Sequence, residues 1–333
     1  MKRILLLMTT LVTVLGILAG CGSSDASTNG KSETKKVVIG YFPNINHVPA
    51  MIAKEKGFYE EQLGDGITIE YQTFPDGASF MTALKTGDIQ AGLVGPGPAM
   101  NNYTNGADVK MIAGGSTGGT VVLARKGSGI ESVEDIPGNT FITPRVGCTH
   151  DVQFETFMKE QGIESERIGG TMRHQTGNPA QYAAMFETGK IDVAVAPEPW
   201  GSVLEQETGA KVIIEADKVS FGKTLPASVL VTSGEEIKNN PELIQKIVDA
   251  HKEATAFIED NPEEAKEITI KDIENITGQK LEKSVVDSAW KRIGFTTELD
   301  DDAVQEFANS SYELKFLKEQ PDFSNLIDKQ FIK

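Results

Sequence analysis

The sequence predicts an α/β protein of two similar lobes with a ligand cleft between them. Three observations carry that expectation. A chain of 333 residues is longer than one hydrophobic core usually organises. Short apolar strand candidates alternate with helix-compatible stretches, the pattern of largely parallel sheets. And two strand–loop–helix units recur in the same order, roughly a hundred residues apart.

The elements follow in chain order. Lys2 and Arg3 precede an apolar run over residues 4–19 that ends in Leu18-Ala19-Gly20-Cys21. A charged start, a short apolar stretch and small residues before a boundary describe a secretory signal, expected over residues 1–20. Such a run is too short for a comfortable membrane span. Residues 21–36 are polar and rich in Ser, Gly and Lys, which predicts a flexible tether. Val37-Val38-Ile39 then opens the first strand, and Asn44 to His47 lie in the loop that leads to the first helix.

That unit has a counterpart. Phe141-Ile142 leads through Thr143-Pro144-Arg145-Val146-Gly147-Cys148-Thr149-His150 into another helix. His47 and His150 occupy matching places, and Gly57 and Gly162 stand where each helix should stop in a left-handed cap. A second unit also recurs: Thr86-Gly87-Asp88-Ile89 leads to a strand and Gly95-Pro96-Gly97-Pro98, and Thr188-Gly189-Lys190-Ile191 leads to a strand and Pro197-Glu198-Pro199-Trp200. In parallel sheets ligands lie beyond the carboxyl ends of the strands, so all four loops are expected to line one cleft. Residues 227–231 read as a strand returning to the first lobe. Asn240-Pro241-Glu242 and Asn261-Pro262-Glu263 read as Asn-capped helix starts. The expected division is residues 37–122 with 226–333 in one lobe and 123–225 in the other.

Composition narrows the function. A formal charge of −16 with no Lys/Arg stripe argues against nucleic-acid binding. It does not exclude a small anion, which backbone dipoles can hold locally. No paired His/Cys spacing predicts a metal. Cys148 and His150 suggest a thiol enzyme at first sight, but residues two apart do not face each other on a helix. The milder reading is an anion cradle: the backbone N–H groups and hydroxyl of Gly147-Cys148-Thr149 at a helix start, with Arg145 and His150 adding positive charge; a simple capping role for Thr149 stays open beside it. Gly114-Gly115-Ser116-Thr117-Gly118-Gly119 lacks a following Gly-Lys-Ser/Thr, so it reads as a flexible or close-approach loop near the cleft rather than a phosphate loop. Trp200 and Glu198 offer an aromatic wall and a carboxylate, or else a hinge-packing tryptophan and a solvated acid.

The motifs Leu18-Ala19-Gly20-Cys21, Gly57-Phe58-Tyr59-Glu60, Thr86-Gly87-Asp88-Ile89, Gly95-Pro96-Gly97-Pro98 and Ala196-Pro197-Glu198-Pro199-Trp200 together resemble the nitrate/sulfonate/taurine family of ABC-transporter solute-binding lipoproteins. The resemblance implies a type II periplasmic-binding fold, cleavage before Cys21 and a lipid on its sulfur, leaving Cys148 without a disulfide partner. It also implies a monomer at the outer face of the cell membrane that delivers a small anion, expected to be an aliphatic sulfonate, to a permease and ATPase. Nitrate, bicarbonate, taurine or a pyrimidine precursor are the alternatives. No catalysis and no cofactor are expected. Ligand contacts are expected from Asn44, His47, Gly95, Gly97, Ser116, Thr117, Arg145, Cys148, Thr149, His150, Glu198 and Trp200, with Glu198 receiving a cationic group if the ligand is zwitterionic.

Overall fold

The computed structural model describes residues 35–320, 322–323 and 325–332. The expected signal peptide, most of the tether and Cys21 lie outside the described residues. Lys35 and Lys36, read as the tether's end, instead open the first strand.

The described residues carry the strands β1 (Lys35–Tyr41), β2 (Ile67–Thr73), β3 (Ala91–Val94), β4 (Lys110–Gly118), β5 (Thr120–Ala124), β6 (Thr140–Thr143), β7 (Arg173–Thr176), β8 (Val193–Pro197), β9 (Lys211–Ile214), β10 (Pro226–Thr232) and β11 (Ile293–Phe295). Their helices are α1 (Val48–Lys56), α2 (Phe58–Leu63), α3 (Gly77–Thr86), α4 (Pro96–Thr104), α5 (Thr149–Glu160) and α6 (Tyr182–Glu187). After these come α7 (Trp200–Thr208), α8 (Gly234–Asn239), α9 (Pro241–Asp260), α10 (Pro262–Thr277), α11 (Lys283–Trp290) and α12 (Asp301–Glu313).

Two sheets form, in the orders β11-β4-β10-β3-β1-β2 and β7-β6-β8-β5-β9. The repeat in the sequence is the repeat in the sheets. β1 lies between β2 and β3 as β6 lies between β7 and β8, all pairing parallel. An antiparallel strand then follows in each, β10 beside β3 and β5 beside β8. Alternate residues of a strand face opposite sides, and the cores show it. Val37, Ile39 and Tyr41 enter one apolar cluster and Val38 another. Val193 and Val195 likewise part from Ala194 and Ala196. Each sheet is therefore covered on both faces, as parallel sheets require.

The chain changes sheet between β4 and β5 at Gly118-Gly119, both with positive φ (73° and 75°). It returns with β10. Gly114 to Gly118, read as a loop, is instead the end of β4. The glycines are needed for close approach: a Cβ at Gly114 would strike the Glu298 carbonyl, and one at Gly115 would lie 2.5 Å from Ser228 Oγ. Pro241 and Pro262 begin α9 and α10 as the sequence suggests. Their asparagines do not cap in the expected way, however, because Asn240 donates to Glu236 Oε2 (2.8 Å) and Asn261 to the Phe257 carbonyl (3.4 Å). α9 to α11 pack with α1 and α2 in one core, buttressing the first sheet.

Candidate functional site

The carboxyl ends of the parallel strands converge on one cavity. Phe42, Asn44, Asn46 and His47 follow β1; Phe74, Asp76 and Gly77 follow β2; Val94, Gly95 and Pro98 belong to the end of β3 and beyond. From the second sheet come Pro144, Cys148, Thr149 and His150 after β6, Asn178 and Pro179 after β7, and Pro197 and Trp200 at the end of β8. The space the cavity offers to water-sized groups is about 90 Å³. A single water takes about 10–15 Å³ on that scale, so roughly six to nine water-sized groups fit. The site suits a small solute.

Three helices begin at its wall. Asp76 caps α3, its Oδ1 accepting from the N–H groups of Ala78 (2.8 Å) and Ser79 (3.1 Å). Gly95 precedes α4, and Cys148 precedes α5. The starts of α4 and α5 abut directly. Gly97 N–H donates to Thr149 Oγ1 at 3.1 Å, so the threonine hydroxyl keeps its own proton for a bond into the cavity. A Cβ at Gly97 would lie 2.9 Å from Thr149 N, and one at Gly95 would collide with Thr149 Oγ1. Gly95 thus lines the cavity, whereas Gly97 serves the contact between the two halves.

The first backbone N–H groups of a helix have no intrahelical acceptor. In α5 the ladder begins with Val152 N–H to the Cys148 carbonyl, leaving Thr149, His150 and Asp151. The thiol of Cys148 is buried and protonated. Burial first and the Asp151 carboxylate second push it up to about 12, against the backbone N–H groups of Asp151, Arg145 and His150. A thiolate nucleophile has no support in that environment.

Both cleft histidines are neutral near pH 7. Burial, helped by the neighbouring His150, lowers His47 to about 3, and burial lowers His150 to about 4. The positive charge expected from His150 is therefore absent. His150 Nδ1 meets Thr120 Oγ1 at 2.7 Å, and that hydroxyl donates to Gln153 Oε1 at 2.7 Å. His47 Nδ1 is buried without a partner among the described residues.

Several expected contacts lie elsewhere. Glu198 is wholly buried and bound to Arg292 Nη1 (2.8 Å), Ser202 N–H (2.9 Å) and Ser202 Oγ (3.1 Å). It does not line the cavity; its backbone joins the halves instead, its N–H donating to the Gly119 carbonyl and its carbonyl accepting from Ile45 N–H. Ser116 Oγ is buried against Ser228 Oγ at 2.9 Å. Thr117 faces a separate groove with Arg292 and Gly294. Both are diverted because their segment is a strand. Arg145 is half-exposed outside the cavity lining, 3.3 Å from Asp76 Oδ1. Trp200 keeps only an edge at the cavity; its indole N–H donates to the Pro43 carbonyl at 3.2 Å and its ring joins the first core.

The sequence reading missed Phe42, Asn46, Phe74, Asp76 and Asn178. Phe74-Pro75-Asp76-Gly77 was the findable one, because Pro-Asp-Gly after the alternating stretch Ile67 to Thr73 is a turn signature. The structure also gathers Asp151, Glu155 and His174 within 4.8 Å, a grouping no sequence spacing showed. Arg167 already pairs with Glu155 at 2.8 Å. Burial and the Glu155 charge hold the Asp151 carboxyl well above the usual range.

Two α/β halves meeting over a cavity at the strand ends define a periplasmic-binding-protein-like fold. The chain belongs to the NMT1-like family, whose profile matches residues 30–271. It is 25% identical over 330 residues to a putative aliphatic sulfonates-binding protein of Bacillus subtilis, covering 97% of this chain and 94% of that one. It is 27% identical over 241 residues to 4-amino-5-hydroxymethyl-2-methylpyrimidine phosphate synthase of Saccharomyces cerevisiae, covering 68% of each. The fold matches that of the alkanesulfonate-binding protein SsuA from Xanthomonas axonopodis pv. citri bound to MOPS, with a TM-score of 0.74 and 18% identity over 89% of this chain and 99% of that one. The fold and the family resemblance read from the sequence are borne out. No helix among the described residues is long and apolar enough to cross a membrane.

Proposed function

We propose that this protein is an extracytoplasmic solute-binding lipoprotein of an ABC importer, and that its ligand is a small sulfonate. The observation that carries the reading is the start of α5 at the cavity wall, where Thr149 supplies a hydroxyl proton and a backbone N–H without an intrahelical partner, while the N–H groups of His150 and Asp151 face the Cys148 sulfur. Oriented dipoles stabilise an anion without a formal cation, which suits a cavity whose histidines are neutral. The B. subtilis relative's name supports the sulfonate choice. In this reading the halves built on the two sheets, parting at Gly118-Gly119 rather than after residue 122, close as two lobes on the ligand, which stabilises the closed state by binding it better. A lipid on Cys21 tethers a monomer to the membrane, and a permease with its ATPase accepts the solute. The protein turns over no substrate.

Phe42, Phe74 and Trp200 at the cavity wall favour a second reading, a pyrimidine-type heterocycle stacked on an aromatic face. A thermal-shift screen separates the two. A ligand that binds only the folded state raises its melting temperature, so short alkanesulfonates should stabilise the protein and aminopyrimidines should not. Stabilisation by pyrimidines alone would reverse the assignment, and no response to sulfonates, nitrate, bicarbonate or taurine would remove the anion reading.

A further inference from the structure

Asp151 and Glu155 lie one turn apart on one face of α5, and His174 on β7 meets them. None of the three lines the cavity. Each carboxylate offers an oxygen and the imidazole a nitrogen, all within 4.8 Å of one another. Like charges at that helical spacing repel, and here both are taken out of water, with side-chain exposures of 0% for Asp151 and 1% for Glu155. Arg167 Nη2 cancels only one of the two charges.

Each side chain is half used. Asp151 Oδ2 accepts from Gly147 N–H at 2.7 Å, and Glu155 Oε2 accepts from Ser165 Oγ and Arg167 Nη2, both at 2.8 Å. His174 Nε2 meets Thr143 Oγ1 at 2.7 Å. That hydroxyl donates to the Arg145 carbonyl at 3.2 Å, so it accepts from Nε2–H, and Nδ1 keeps a bare lone pair. Asp151 Oδ1, Glu155 Oε1 and His174 Nδ1 are left buried, with no hydrogen-bond partner among the described residues. The 3.6 Å between His174 Nε2 and Asp151 Oδ1 is too long to be a hydrogen bond. Buried polar atoms without partners are costly and call for an occupant. A single proton serves one such atom, whereas a metal ion serves several at once and supplies the missing positive charge.

We propose that Asp151, Glu155 and His174 hold one divalent transition-metal ion, which braces α5 against β7. Two carboxylates and an imidazole, without sulfur, suit zinc(II) or manganese(II) better than calcium or magnesium, which take oxygen ligands. The ring is already oriented for the task. Phe141 stacks on it, with ring centres 4.3 Å apart and planes 11° apart, and its bond to Thr143 is the outer contact a metal-binding imidazole usually makes. β7 is an edge strand and the His174 side chain keeps 8% exposure, which gives an ion its way in. Because Asp151 also holds the Gly147 N–H, the ion would steady the turn that starts α5.

The test strips the purified protein, carrying no histidine tag, with a chelator and titrates it calorimetrically with zinc(II) and, separately, manganese(II). The wild type should take up one ion per chain, and its melting temperature should rise with occupancy. Glu155→Gln and His174→Gln should each weaken metal binding by about tenfold or more, with a melting curve to check folding. Unchanged binding in either folded variant would overturn the assignment. Should a variant fail to fold, anomalous diffraction from a wild-type crystal soaked in zinc(II) decides: a peak among the three side chains supports the site, and a peak elsewhere or none overturns it. A wild type that binds neither ion would also overturn it, a proton then meeting the buried charge. Ethanesulfonate binding is measured separately, so failure of the metal site leaves the solute reading standing.

Discussion

The loop after β1 and the loop after β6 are the same device finished in two ways. Each leaves a parallel strand, crosses the cavity wall and starts a helix with a histidine at its head. In the first, Asn44 Oδ1 accepts from Asn46 N–H at 3.1 Å, a short 3-10 turn intervenes, and His47 packs on Phe42 with ring centres 4.8 Å apart. In the second, the helix begins at once and His150 is fixed by Thr120 and Gln153. The first loop supplies apolar wall and a buried imidazole. The second supplies oriented hydrogen-bonding groups. A repeated scaffold thus gives two halves of a grip with different chemistry, and the difference arises from side chains that the repeat does not share, Phe42 and Asn44 in one and Thr120 and Gln153 in the other.

The clasp between the halves should show the largest effect. Arg292→Met strands the buried Glu198 beside only Ser202, and removing one member of a buried ion pair costs about 3–5 kcal/mol. Burial already holds the Glu198 carboxyl above its usual range. A carboxyl with a raised folded-state pKa penalises the fold at high pH, and the penalty disappears as pH falls and the proton is taken up. The destabilisation seen by denaturant titration should therefore be smaller near pH 5 than near pH 8; equal losses at both would contradict a stranded charge.

Next in size is the contrast within the grip. Thr149→Val keeps the shape but removes the hydroxyl, and should weaken sulfonate binding about tenfold, the worth of one lost hydrogen bond in a closed site. Asn44→Ala should cost about 1 kcal/mol of stability as a lost cap with little change in affinity. If Asn44→Ala impaired binding more than Thr149→Val, the two loops would have their roles reversed.

The histidines give a finer test. Their folded-state values are depressed to about 3 for His47 and about 4 for His150, His174 and His251. Each therefore contributes full stability above the unfolded value of 6.5 and loses it as pH falls from there toward the folded value. Proton NMR should find none of the four titrating above pH 5; a cleft histidine with a midpoint near 6.5 would mean the cavity is wet and open. Cys148→Ser should have the least effect, with affinity kept within about threefold, since its buried thiol only precedes the helix. Abolished binding in a folded Cys148→Ser protein would give the sulfur a direct part.

Much of the architecture was legible because repeats and strand-end loops are sequence-local. Gly57 (φ 75°) and Gly162 (φ 75°) do occupy left-handed positions, and β10 does return to the first sheet. What sequence could not show was pairing across distance. Glu198 reads as an exposed strand-end acid until Arg292, 94 positions later, closes over it. Ser116 reads as a loop residue until β10 and β11 flank its segment as a strand. Asp76 went unnoticed because its loop belongs to neither repeated unit.

If the start of α5 holds the sulfonate, a crystal structure of the protein grown with ethanesulfonate will show the sulfonate group against Thr149, with one oxygen accepting from the Thr149 hydroxyl. A sulfonate seated instead in the Arg292 groove, or turned with its carbon end toward α5, would contradict it.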